Sequence, residues 1–72
     1  MSWDMPVTSM GGTMYVVNSN ANVRSYYSTD SIVLGTLSYG DPVQVTGYTS
    51  NNWIRVKYSG STGYIYGDLL SW

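Results

Sequence analysis

The 72-residue sequence contains no cysteine, no histidine and no phenylalanine, and its four acidic residues are all aspartate. Without cysteine no disulfide can cross-link the chain. Cysteine and histidine are common zinc ligands, cysteine supplies the thiol nucleophile and histidine is the usual general base. The chain has none of these groups. The sequence therefore predicts no metal site and no cofactor.

The four aspartates are the remaining candidates for catalysis. Each lies in an apparent turn or in the N-terminal stretch, where Asp is expected to cap backbone groups. A chain this short forms one domain, and a small barrel fills its interior with its own side chains, which leaves no water-excluding pocket for chemistry. We therefore expect no enzyme. The four are Asp4, Asp30, Asp41 and Asp68.

Charge is also scarce, at 10% of the residues, against about 25% in ordinary soluble domains. The three cations, Arg24, Arg55 and Lys57, leave a net charge of −1. Three cations cannot neutralise a row of phosphates, so nucleic acids and anionic membranes are disfavoured as partners. No apolar run approaches the roughly 20 residues of a membrane span, so no membrane insertion is expected.

From Thr13 onward, Gly, Asn and Ser separate short β-branched and aromatic segments, and no window has helical periodicity. Val43 and Val45 alternate with polar residues, as do Ile54 and Val56, which predicts half-buried strands with the core on one face. Five to six such strands close most simply into a small, strongly bent barrel. The predicted strands cover residues 14–17, 21–25, 32–37, 42–48, 53–58 and 64–66.

Residues 1–12 lack any period, contain Pro6 and end in two glycines, so we interpret them as a flexible N-terminal arm preceding a barrel domain of residues 13–72. They also lack the basic start and apolar run of a signal peptide. A domain this small without disulfides often gains stability by oligomerisation. Three apolar residues of the arm are therefore predicted to contact a neighbouring subunit: Trp3, Met5 and Met10.

Several short segments of the chain together form a recognisable pattern. They are Asn22-Val23-Arg24-Ser25, Val33-Leu34-Gly35-Thr36-Leu37, Gly40 with Val43 and Val45, Trp53 with Val56, Gly63-Tyr64-Ile65, and Leu69-Leu70. This pattern resembles the bacterial SH3-like domains of cell-wall hydrolases and envelope proteins. The resemblance implies an all-β SH3-like barrel, a role in binding the cell wall, and an extracellular or cell-envelope location. Relatives usually follow the first of these segments with Gly-Pro, where this chain has Tyr26 and Tyr27.

Eight tyrosines and three tryptophans favour aromatic rings that are partly in water. Rings and amides on neighbouring loops could line one uncharged groove suited to a sugar or a glycine-rich peptide. The alternative is that Trp53 and Tyr58 cap the core, that the outward tyrosines form cross-strand pairs, and that Arg24 is a structural brace. The predicted groove residues are Tyr26, Tyr27, Tyr48, Asn51, Asn52, Trp53, Tyr64 and Tyr66.

Three functions remain open at this stage. The resemblance implies a non-catalytic module that binds peptidoglycan peptide or glycan. A second hypothesis is a free-standing carbohydrate-binding lectin that is multivalent through homo-oligomerisation. A third is a self-assembling structural subunit whose tyrosine-rich faces bind other copies of the chain.

Overall fold

The computed structural model describes residues 7–18 and 20–72, and within these ranges it contains seven β-strands and one 3₁₀ turn, Gly67–Leu69. Over the same residues, no helix has the length and apolar character needed to cross a membrane. The predicted all-β SH3-like barrel is confirmed, with a short seventh strand that the sequence pattern did not indicate. The strands are β1 (Thr8–Val16), β2 (Asn20–Arg24), β3 (Val33–Ser38), β4 (Pro42–Tyr48), β5 (Trp53–Tyr58), β6 (Ser61–Tyr66) and β7 (Leu70–Ser71).

All seven strands belong to one antiparallel sheet in the order β3-β2-β6-β5-β4-β1-β7. The register shifts between Ser9 and Gly12 in β1, between Val45 and Gly47 in β4, and where Arg24 follows Val23 in β2. Such irregularities bend a strand and increase its twist. The sheet therefore curls around one core.

The core consists of side chains that alternate along the strands and point to the inside of the curl. The alternation predicted for Val43 and Val45, and for Ile54 and Val56, is confirmed, since all four are buried. Tyr58 is partly buried and packs against this core, as expected of a capping residue. The buried core residues are Met14, Val16, Ala21, Val23, Val43, Val45, Ile54, Val56, Ile65 and Leu70.

Two glycines within strands allow distant parts of the barrel to approach closely. A Cβ on Gly35 would overlap the hydroxyl of Tyr58, and a Cβ on Gly63 would overlap Cγ1 of Val23. Gly35 is on β3 and Tyr58 on β5, which are not neighbours in the sheet. The phenol of Tyr58 therefore crosses the barrel and lies directly on the backbone of β3.

The first strand begins earlier than the sequence pattern indicated. Thr8 pairs with Tyr48 and Gly12 with Val45, so residues 8–12 of the predicted arm belong to the sheet. The pattern missed them because backbone pairing with β4 needs no apolar alternation. The indole of Trp72 packs on Gly12 in this part of the strand.

One of the three predicted subunit contacts, Met10, lies on this first strand. Met10 is half-buried against the core of its own chain, because β1 carries it onto the barrel. Trp3 and Met5 lie outside the described residues. Contact of Trp3 and Met5 with a neighbouring subunit therefore stays a prediction.

Candidate functional site

A long loop, residues 25–32, connects β2 to β3 and is organised by Arg24. The guanidinium Nη1 donates hydrogen bonds to the carbonyl oxygens of Thr29 and Ser31, both at 2.9 Å. The amide of Ser25 donates to the carbonyl of Ile32 at 2.8 Å and closes the loop at its base. Arg24 is thus the hydrogen-bonding brace that the sequence suggested.

Two adjacent tyrosines of this loop stack on each other. The ring centroids of Tyr26 and Tyr27 lie 4.0 Å apart, and the hydroxyl of Tyr26 donates to that of Tyr27 at 2.7 Å. Tyr64 on β6 meets both rings edge-on, with centroids 6.1 Å from Tyr26 and 5.5 Å from Tyr27. We call these three residues the tyrosine cluster.

A second aromatic pair lies beside a pocket of about 250 Å³. Trp53 on β5 and Tyr66 on β6 are cross-strand partners whose rings meet edge-on with centroids 5.6 Å apart. Tyr64 and Tyr66 are two positions apart on β6 and share a face, so the pocket adjoins the tyrosine cluster. We call it the Trp53 pocket. Its lining residues are Asn20, Asn22, Arg24, Thr29, Trp53, Tyr66 and Leu69.

Asn51, one of the two predicted site asparagines, supports the loops around the aromatic residues. Its side-chain amide donates to the carbonyl of Tyr27 at 3.4 Å, and its Oδ1 accepts a hydrogen bond from the hydroxyl of Thr49. Both polar ends of Asn51 therefore bind the protein itself. The residue holds the tyrosine cluster in place.

Asn52 has a left-handed backbone, with φ of 66°, which asparagine tolerates better than most residues. Its side-chain amide donates to Oδ1 of Asp68 at 2.8 Å, and its carbonyl accepts from the amide of Gly67 at 2.7 Å. Asn52 thus fixes the 3₁₀ turn that carries Leu69 to the pocket. Asp68 accepts this hydrogen bond through its carboxylate, so the contact joins two side chains and is not the backbone capping that was expected of the aspartates.

Tyr48 does not join either aromatic group. It lies at the end of β4, where it pairs with Thr8 and Ile54, and no ring contact among the described residues includes it. The ring contacts therefore do not join all of the eight predicted residues. These residues divide into the tyrosine cluster, the Trp53–Tyr66 pair, the two supporting asparagines and the separate Tyr48.

Burial further separates the aromatic residues. Trp53 is 6% exposed and Tyr27 is 8% exposed, so each contributes to packing as well as to the surface. Tyr26 and Tyr66 keep more than a third of their surface exposed. A ligand would therefore meet Tyr26 and Tyr66 most directly, with Trp53 forming a wall of the pocket.

Sequence reasoning missed five of the seven residues that line the pocket, and for one of them, Arg24, it expected only a structural role. Asn20 and Asn22 alternate with buried Ala21 on β2, and this period of two could have shown that they face outward beside Arg24. Thr29 and Leu69 carry no such signal, because the braced loop and the 3₁₀ turn bring them to the pocket.

Electrostatics at the pocket are simple. Arg24 is the one charged residue among those that line it. Across the described residues, no three His, Cys, Asp or Glu side chains come together as a metal site would require. The arrangement is suited to binding through rings, amides and one guanidinium.

Comparison with known proteins identifies the fold family. The family model of the bacterial SH3 domain matches residues 19–71, which span β2 to β7 and include every residue that lines the Trp53 pocket. Searches of curated proteins and of solved structures find no match. The matched segment is most of the chain, and the residues that carried the resemblance fall within it. The chain belongs to the bacterial SH3 domain family.

Proposed function

We propose that this domain is a non-catalytic module that binds cell-wall peptidoglycan, through its peptide or its glycan. Bacterial SH3 domains are typically binding modules, commonly for cell-wall components. The observation that carries the proposal for this chain is the Trp53 pocket adjoining the tyrosine cluster on the outer face of β2, β5 and β6. Binding there places the protein outside the cell or in its envelope.

The chemistry of this surface fits a polar ligand that is bound mainly through its uncharged parts. Aromatic rings offer apolar surface to the face of a sugar or to an extended peptide, while Asn20 and Asn22 offer both hydrogen-bond donors and acceptors. The rings are fixed by mutual contacts, and Asn51 and Arg24 fix the loops beneath them. A surface that is already ordered loses little entropy on binding.

The proposal is tested by retention of the purified domain on peptidoglycan sacculi. Tyr66→Ala removes an exposed ring from the pocket and is expected to weaken retention about tenfold, the effect of losing one aromatic contact of a binding hot spot. Tyr26→Ala combined with Tyr27→Ala should weaken it as well, but Tyr27 is buried, so the fold of that variant needs checking by circular dichroism. Trp53 is buried as well, so the fold of Trp53→Ala also needs checking by circular dichroism.

Tyr39→Ala is the matched control, because Tyr39 is 73% exposed and lies in the turn between β3 and β4, outside the pocket. It should be retained like the wild type. Equal retention of the Tyr66 and Tyr39 variants would move the site elsewhere. A wild-type domain that fails to bind sacculi would refute the cell-wall proposal, and retention on a glycan array would then favour the lectin.

Self-association is a second candidate function, either as a structural subunit or as the basis of a multivalent lectin. One observation favours it. Ile32, Val33 and Leu34 are exposed at and before β3, which is an edge strand of the sheet in the described part of the chain. An uncharged apolar edge can pair with another strand. Sedimentation equilibrium without ligand tests this candidate: a mass that rises with concentration, and falls back in Ile32→Lys, supports it.

A further inference from the structure

The Trp53 pocket contains a positive charge that no carboxylate among its lining residues offsets. That charge belongs to Arg24, which is half-buried at the end of β2. The other lining residues are neutral, either aromatic, aliphatic, hydroxyl-bearing or amide-bearing. The positive charge of the pocket lining is therefore concentrated on the side of Arg24.

The guanidinium is fixed in position but only partly used. Its Nη1 binds the carbonyl oxygens of Thr29 and Ser31, which hold the group at the wall of the pocket. Across residues 7–18 and 20–72, its Nε and Nη2 make no hydrogen bond and the group forms no ion pair. A guanidinium presents its donors as a planar fork, which matches the two oxygens of a carboxylate.

We propose that the Trp53 pocket selects a ligand that carries a carboxylate, which Arg24 binds, beside a neutral body that contacts Tyr66, Trp53 and Asn22. The inference rests on the proposed cell-wall function and deepens it by naming the chemical group that is recognised. Hydroxyl and carbonyl oxygens of a neutral ligand can also accept hydrogen bonds from the remaining donors of Arg24, but a carboxylate forms charge-assisted bonds that are roughly twice as strong. The charge therefore favours acidic over neutral ligands.

Two parts of peptidoglycan supply such a group, the lactyl side chain of a muramic acid that carries no stem peptide and the free end of a stem peptide. The shared chemistry is a carboxylate next to a neutral polar body. A pocket of about 250 Å³ is smaller than the 300–1,000 Å³ typical of sites for drug-sized ligands. It therefore suits one sugar ring or the last residues of a peptide.

Matched pairs of small probes test the proposal on the wild-type domain. N-acetylmuramic acid differs from N-acetylglucosamine by its carboxylate-bearing lactyl group, and acetyl-D-alanyl-D-alanine differs from its C-terminal amide by the charge alone. Titration followed by NMR should show the acid of at least one pair binding about tenfold tighter than its neutral partner, with shifts at the Asn22 side-chain amide and the Trp53 indole N–H. Which pair discriminates identifies the source of the carboxylate.

Charge-matched variants then assign the preference to one residue. Arg24→Gln should lose the preference for the acid, whereas Lys57→Gln, which removes the same charge at an exposed position of β5 outside the pocket, should keep it. Arg24→Lys keeps the charge but not the fork, so it should keep part of the preference. Because Arg24 also braces the loop, the decisive result comes from the wild type.

Equal binding of acid and neutral probes by the wild type, or no binding of any probe, overturns the carboxylate site. Retention on sacculi is measured separately with the Tyr66 variant. A domain that is retained on sacculi but shows no acid preference disproves this inference and leaves the proposed function intact. A domain that prefers the acids but is not retained on sacculi supports this inference and refutes the proposed function.

Discussion

The long loop of residues 25–32 and the β5–β6 hairpin both contribute aromatic residues to the binding face, but they are held in different ways. The hairpin pairs six residues of each strand, from Trp53 with Tyr66 to Tyr58 with Ser61, and buries Ile65 completely. The loop has no ladder of its own. Hydrogen bonds from Arg24, Ser25 and Ser31 to its carbonyl groups give it its shape.

Because of this difference, one set of interactions stabilises the fold and another sets the geometry of the site. Apolar burial in the hairpin provides free energy for the whole barrel, because every buried methylene leaves water when the domain folds. Polar contacts in the loop contribute little net free energy, since water would satisfy the same groups in the unfolded chain. They specify instead where Tyr26 and Tyr27 lie. Changes to the buried residues of the hairpin should therefore unfold the domain, and changes in the loop should alter the site.

The largest expected effect is that of Ile65→Ala in the hairpin. Ile65 is 0% exposed, and truncating a buried isoleucine costs about 2–5 kcal/mol. A domain of this size is held by roughly the same amount, so the variant should be largely unfolded at 37 °C. Urea unfolding followed by circular dichroism measures the loss. Ile32→Ala, at a position 72% exposed, should stay near the wild type, and comparable losses would contradict the core assigned here.

Gly63→Ala should have an intermediate effect. The added methyl would overlap Cγ1 of Val23, and overpacking of this kind costs about 1–3 kcal/mol. The midpoint of urea unfolding should fall without a change in slope. Gly11→Ala is the matched control, because nothing lies within 4 Å of the position of its Cβ. If both variants unfold alike, β2 and β6 do not pack as closely as described.

The smallest expected effect on stability is that of Ser31→Ala in the loop. Its hydroxyl donates to the carbonyl oxygens of Ser28 at 2.6 Å and Tyr26 at 3.1 Å, and the loss of such a bond costs about 1 kcal/mol. Amide hydrogen exchange should accelerate at Ser25 and Ile32 but not along β5. Ser61→Ala, at an exposed position of β6, should leave both the stability and the amide exchange rates unchanged. Faster exchange throughout the barrel would show that loop and hairpin are not independent.

Much of the barrel could be predicted from residue periodicity. Val43, Val45, Ile54 and Val56 alternate with polar neighbours, and that alternation alone indicated strands with one buried face. The start of β1 was missed because Thr8, Ser9 and Gly12 pair with β4 through their backbones, which leaves no mark on side-chain type.

The candidate site was predictable only in part. The excess of tyrosine and the outward positions of Tyr64 and Tyr66 indicated exposed rings, but Tyr48, which was grouped with them, makes no ring contact with them among the described residues. Chain proximity to Trp53 suggested the grouping, but the path of β4 places Tyr48 beside Ile54 and Thr8. Which aromatic residues meet depends on sheet order, and sheet order is not a local property.

The sequence by itself determined the class of the fold, its family and the scarcity of charge, since each follows from residue types and their spacing along the chain. Only the tertiary structure decided that Asn20, Asn22, Arg24 and Trp53 line one pocket, and that Tyr26 and Tyr27 form a separate cluster with Tyr64. The physical reason is that β2 pairs with β6, far away in the sequence, while a single guanidinium folds the loop back over the end of that pair.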